Sequence, residues 1–175
     1  MKISLFAIAG LVASVAADPG TLDVMKGLMK DAVAYHKTIN DWDGSYKGGV
    51  SLLMETRTLV KKMQAAEAHP DVRAPNSSED PNSEEEAFQV ANALTKEIGD
   101  TVDAAIAKKA QFYAIPLIGK KLALSNFQNL RGAASNLGKV LAIKGADERP
   151  DETAKALKDM DDHFARGEAA FKDEL

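Results

Sequence analysis

Residues 83–110 read SEEEAFQVANALTKEIGDTVDAAIAKKA. Within them Phe88, Ala91, Leu94 with Thr95, Ile98, Val102, Ala105 with Ile106, and Lys109 recur at steps of three and four. That is the period of an α-helix, and it gathers the apolar side chains on one face. Ser83 with Glu86 forms a capping box, and the acids at 84–86 suit the positive end of the helix dipole. A helix of this kind has a stripe to bury and needs partners to bury it against.

Four flanking segments supply them. Residues 21–39 carry Leu22, Met25, Met29, Ala32 with Val33, His36 and Ile39 at helical spacing, with Thr21 as the cap. The turn formers Asn40 to Ser45 break the pattern. It resumes over 46–68 with Val50, Leu53, Leu59 with Val60, and Met63, until His69-Pro70 stops it. Residues 69–83, with Pro70, Pro75 and Pro81 among acids and serines, predict a solvated loop longer than most bundle connections. After Ile115-Pro116 a fourth helix is predicted over 117–144, with Leu117, Leu124, Phe127, Leu130 with Arg131, Ala134, Leu137 and Leu141. A fifth follows over 151–174, with Ala154, Leu157, Met160, Phe164, Gly167 and Phe171. The expected fold is all-α, an up-and-down bundle of about five amphipathic helices in one domain over 18–175.

Composition agrees. Of 175 residues, 45% are hydrophobic, 27% charged and only 6% aromatic, a globular balance that favours helix over strand. The formal charge is −4 with no basic block, which argues against nucleic acid as a partner. Cysteine is absent, so disulfides, thiolate metal sites and cysteine nucleophiles are excluded.

Residues 1–17 read as a secretory signal peptide: basic Lys2, an apolar run Leu5–Val15, then the small residues Ala16-Ala17. That run is too short to span a bilayer, and no other stretch is apolar enough to do so. The alternative is a buried N-terminal helix, against which stands the lack of any polar face in the run. Asn76-Ser77-Ser78 is a sequon in the proline-rich loop, so Asn76 is a glycosylation candidate. The chain ends Lys172-Asp173-Glu174-Leu175, an ER-retrieval signal that makes the ER lumen the alternative to export. The same four residues also suit the frayed end of a charged helix.

Catalytic and metal patterns are missing. His36, His69 and His163 fall in separate segments, no Gly-x-Ser-x-Gly elbow or phosphate loop occurs, and acids show no metal-loop spacing. Neither an enzyme nor a cofactor is expected.

The apolar faces say more. Ala91, Ala105, Ala123, Gly132, Ala133, Ala134 and Gly138 are small, while Met25, Met29, Met54, Met63 and Met160 are long and adaptable. Two readings follow. Small residues let helices approach closely while methionine fills gaps, or they leave a lengthwise gap for an apolar guest. On the second reading the ligand candidates are Leu53, Leu94, Ile98, Val102, Leu124, Phe127, Leu137 and Phe164 for the tail. Ser125 and Gln128, bordering the fourth stripe, are candidates for a polar head, or else an exposed shoulder. Burying ~10 methylenes at ~0.8 kcal/mol each gives roughly 8 kcal/mol gross, the scale of micromolar binding before ordering costs. A fatty acid is therefore the size of guest expected.

The assembled pattern resembles the fungal hydrophobic surface-binding protein A family, which includes cell-wall mannoproteins of the galactomannoprotein type. The likeness rests on the turn Ile39-Asn40-Asp41-Trp42-Asp43-Gly44 and on Lys108-Lys109-Ala110-Gln111-Phe112. It rests also on Met160-Asp161-Asp162-His163-Phe164 with the trailing Ala169-Ala170-Phe171. The resemblance implies a secreted helical bundle that adsorbs to hydrophobic surfaces or encloses fatty acids, with adsorption linked to the recruitment of secreted hydrolases. The chain departs from the pattern in its long loop at 69–83, in lacking a Ser/Thr-rich stalk or anchor signal, and in its terminal tetrapeptide.

Overall fold

The computed structural model describes residues 19–74, 81–116, 119–145 and 150–172. The leader, Asn76, Leu117 and the last three residues of the terminal tetrapeptide lie outside them. The described residues form seven helices: α1 (Pro19–Asp41), α2 (Tyr46–Glu67), α3 (Pro70–Arg73), α4 (Pro81–Ala107), α5 (Lys109–Ala114), α6 (Gly119–Gly145) and α7 (Pro150–Lys172). The five long ones are the five predicted. The short α3 and α5 are additions, and each has a local cause.

Pro70 ends α2, as expected, but it also starts α3, because the first turn of a helix has no use for the N–H that proline lacks. The His69 ring accepts the Asp71 backbone N–H across 3.4 Å, and Val72 is buried. Thr21 is not a cap. The helix already begins at Pro19, and Thr21, fully buried, donates its hydroxyl to Asp71 O at 3.1 Å, tying α1 to α3. Ser83 likewise lies inside the first turn of a helix that starts at Pro81. At Lys108 the backbone (φ −92, ψ 9) leaves the helical path, and its N–H is shared between Ala104 O and Ala105 O. The expected third helix is thereby cut into α4 and α5.

The long helices alternate in direction along the chain and close a ring in space. α1 packs on α2 and α4, α4 on α7, α7 on α6, and α6 on α2. Asp31–Lys62 and Tyr35–Thr56 set α1 antiparallel to α2. Lys26–Glu86 and His36–Glu97, both at 2.6 Å, run α1 parallel to α4. Asp103–Arg166 at 2.7 Å, with the His163 ring over Gly99, runs α4 parallel to α7. Arg131–Asp161, with Phe127 against Phe171, sets α6 antiparallel to α7. Five rods with axes ~9 Å apart stand about 7.7 Å from the centre of their ring, against about 6.4 Å for four. A helix with its side chains reaches only about 5–6 Å from its axis. A five-membered ring thus leaves an axial space that inward side chains must fill.

Both ends of the ring are plugged. α3 lies against α1, α2 and α6 at one end. At the other, α5 brings in Phe112, which meets Trp42 at a tilt (centroids 4.6 Å, planes 51° apart) and Phe171 edge-on (5.6 Å). Lys108 Nζ donates to Trp42 O at 2.6 Å, and Gly44, at φ +85, turns the chain beside Gln111. The tryptophan turn, the double-lysine segment and the trailing aromatic, far apart in sequence, converge here.

α2 corrects the sequence reading by one residue. Its buried face is Gly49, Leu52, Thr56, Leu59, Met63 and Ala66. Val50 and Met54, expected inside, are 38% and 56% exposed. Gly49 passes so close to Ile115 that an added Cβ would sit 2.6 Å from its Cδ1, and a glycine carries no hydropathy signal.

Candidate ligand cavity

Along the ring axis, between its middle and α5, runs a narrow cavity walled by every long helix. α1 contributes Ala32, Tyr35 and Ile39, α2 Leu59 and Met63, and α4 Leu94, Ile98, Thr101, Val102 and Ala105. α6 contributes Ala123, Asn126, Phe127 and Leu130, α7 Phe164, and α5 closes the end with Phe112. Counting all atom-free space, the mouth open to solvent included, it measures about 640 Å³, while the centres of water-sized molecules have about 50 Å³ to move in. The second figure is room for about four waters at roughly 10–15 Å³ apiece.

Of the seven small residues singled out in the sequence, Ala105 and Ala123 line the cavity and the other five do not. Ala32, Ala105 and Ala123 face the axis where longer side chains would close it. Elsewhere small residues serve close packing: at Gly167 an added Cβ would lie 2.5 Å from the Phe127 ring, so α6 and α7 meet there without a gap.

Of the predicted ligand residues, Leu94, Ile98, Val102, Phe127 and Phe164 come together on the cavity wall. The other five do not line it. Leu137 is buried beyond the cavity, and Leu53 and Leu124 are half-buried on the flanks of their helices. Ser125 and Gln128 face solvent, where Ser125 Oγ accepts from Asn129 Nδ2 across 3.4 Å. They are the shoulder and cannot meet a head group inside. The inward polar residue is their neighbour Asn126, three positions after Ala123 and four before Leu130, 6% exposed.

Three polar side chains interrupt the apolar wall, and two are satisfied. Tyr35 Oη donates to Thr56 Oγ1 at 2.6 Å, and Thr56 donates to Leu52 O at 2.8 Å. Thr101 donates to Glu97 O at 2.7 Å. Asn126 Oδ1 is buried without a hydrogen-bond partner; among the described residues only Tyr113 Oη, outside the cavity wall, shares that condition. Among the described residues no Lys, Arg, His, Asp or Glu lines the space. Its lining suits an apolar chain.

A family model described as hydrophobic surface binding protein A matches residues 21–142, more than half of the chain. The chain belongs to this family. The match runs from α1 through most of α6 and so takes in four of the five walls of the cavity. The fold is shared with AfMP4p, whose crystal structure was determined in complex with palmitic acid. That comparison has a TM-score of 0.75 at 21% sequence identity and covers 87% of this chain and 98% of AfMP4p. No curated protein matches the sequence. Among the described residues no helix is long and apolar enough to cross a membrane, and no cluster of His, Asp and Glu is arranged to hold a metal ion.

Proposed function

We propose that this protein is a non-catalytic carrier that holds a long-chain fatty acid along the axis of the ring. The observation that carries the reading is the apolar cavity walled by all five long helices. Membership in a hydrophobic surface binding family and a shared fold with a palmitate-bound protein support it. With about 50 Å³ open to the centres of water-sized molecules, the cavity is narrower than a sixteen-carbon chain requires, so seating one needs the lining to give way. Without disulfides, the ring has no covalent bar to that movement. Protein purified from a eukaryotic host should carry an acyl species in native mass spectrometry, and added palmitate should displace a fluorescent fatty acid. A ligand-free mass together with no displacement would refute the carrier reading.

A second, compatible mode has its own observation. Tyr46, Val50 and Met54, one helical turn apart on α2, are 59%, 38% and 56% exposed. The cations Lys47, Arg57 and Lys61 are exposed alongside them. An outward apolar stripe edged with lysine and arginine is the pattern of a helix that lies on an apolar interface. We propose this face as the one that adsorbs to hydrophobic surfaces. The double variant Val50→Glu, Met54→Glu should lose adsorption to hydrophobic beads several-fold while its fatty-acid binding stays unchanged; equal adsorption would reject this face. The leader-like residues 1–17 and the extracellular or cell-wall setting of the family support secretion. The Lys172–Leu175 tetrapeptide keeps the ER lumen as the alternative address, and adsorption gives secreted hydrolases a surface on which to gather.

A further inference from the structure

We propose that Asn126 is the selectivity residue of the cavity: its Oδ1 accepts a hydrogen bond from the O–H of a long-chain guest. The site would then favour a fatty acid bound with its proton, or a fatty alcohol, over a pure hydrocarbon or an ester. This rests on the carrier reading above and adds the polar chemistry of the guest.

The argument is one of hydrogen-bond inventory. A buried amide oxygen without a donor leaves its desolvation uncompensated, and native interiors rarely keep such an atom. Asn126 keeps one, and in the wall of a cavity. The wall offers it no donor: the Tyr35 hydroxyl is engaged with Thr56, and the Thr101 hydroxyl with Glu97 O. Among the described residues the lining carries no cation, so an ionised carboxylate would enter without a counter-charge, which is costly in an apolar site. A neutral O–H meets both conditions, because it supplies the missing donor and brings no charge. Asn126 lines the same cavity as the Phe112 plug. A head held there sends its tail toward Leu59, Met63 and Leu94, the rest of the apolar length.

The test compares 1-hexadecanol, palmitic acid, methyl palmitate and hexadecane on the full chain, by displacement of a fluorescent probe and by native mass spectrometry. Wild type should bind the two O–H ligands about tenfold tighter than the ester and the hydrocarbon. Asn126→Leu should erase that ratio while still binding hexadecane. It should also raise the melting temperature of the ligand-free protein, since the orphaned oxygen is gone. Asn126→Ser, which keeps an acceptor, should retain part of the ratio and guards against a leucine variant that fails to fold. Equal binding of all four ligands by wild type, or an unchanged ratio in both variants, overturns the role of Asn126 and leaves the carrier reading standing. Binding of none of the four overturns both.

Discussion

Tyr35 lines the cavity but spends its proton on Thr56, and that choice has a signature at high pH. Burial, partly offset by the Thr56 hydrogen bond and helped by nearby Glu55, pushes its phenol from 10.0 up to about 12. The folded state therefore holds this proton more tightly than the unfolded chain. The associated stability is intact below about pH 10 and is lost as pH rises through about 12. Tyr35→Phe cannot ionise. Between pH 10 and 12 its stability, measured by urea unfolding, should decline less than that of wild type; parallel declines would show that Tyr35 is not the group responsible. Asn126 shows how one residue can be hidden in a sequence. It occupies a core position between Ala123 and Leu130, but Ser125 and Gln128 beside it are equally polar. Periodicity alone, read from the stripe through Leu124 and Phe127, selected the neighbours. The legible signal was the 123–126–130 spacing with a carboxamide in its middle.

At the scale of elements, strong period and clear punctuation made the five long helices readable, and weak punctuation hid the rest. α3 was missed because proline was taken only as a terminator, when it is equally a good first residue. The break before α5 was missed because the apolar period runs on through Ala105, Ile106 and Lys109 across it. The α2 face was misjudged because glycine, the residue that lets Ile115 approach, registers as neither apolar nor polar. Which helices pair was not legible at all, since ring order depends on side chains far apart in sequence. Arg131 is an example. It was read as part of an apolar stripe. Instead it grips Asp161 of α7 with two bonds of 2.6 and 2.7 Å and reaches Glu168 at 3.2 Å. A two-pronged pair that is about a quarter exposed lies between the surface and buried cases. Arg131→Ala should cost about 1–3 kcal/mol in chemical unfolding. Arg131→Lys should recover only a minority of it, because an ammonium cannot reproduce the fork. Full recovery by lysine would mean that charge alone ties α6 to α7.

Across the whole molecule, α4 has an unusual place. Every other long helix rests against a long helix that adjoins it in the chain, α1 with α2 and α6 with α7, whereas both flanks of α4 are remote in sequence. Forming those contacts must first meet the entropy of closing long loops. In refolding followed by pulsed hydrogen exchange, amides of the two hairpins should gain protection before those of α4; simultaneous protection throughout would contradict this order. If α4 docks in that order, the central slot is sealed by the last strut to arrive. On the carrier reading, a greasy molecule resting between the two nascent hairpins would be walled in as the barrel shuts. One that came later would have to pry apart finished timbers, which would make the birth of the protein the easiest moment to load it.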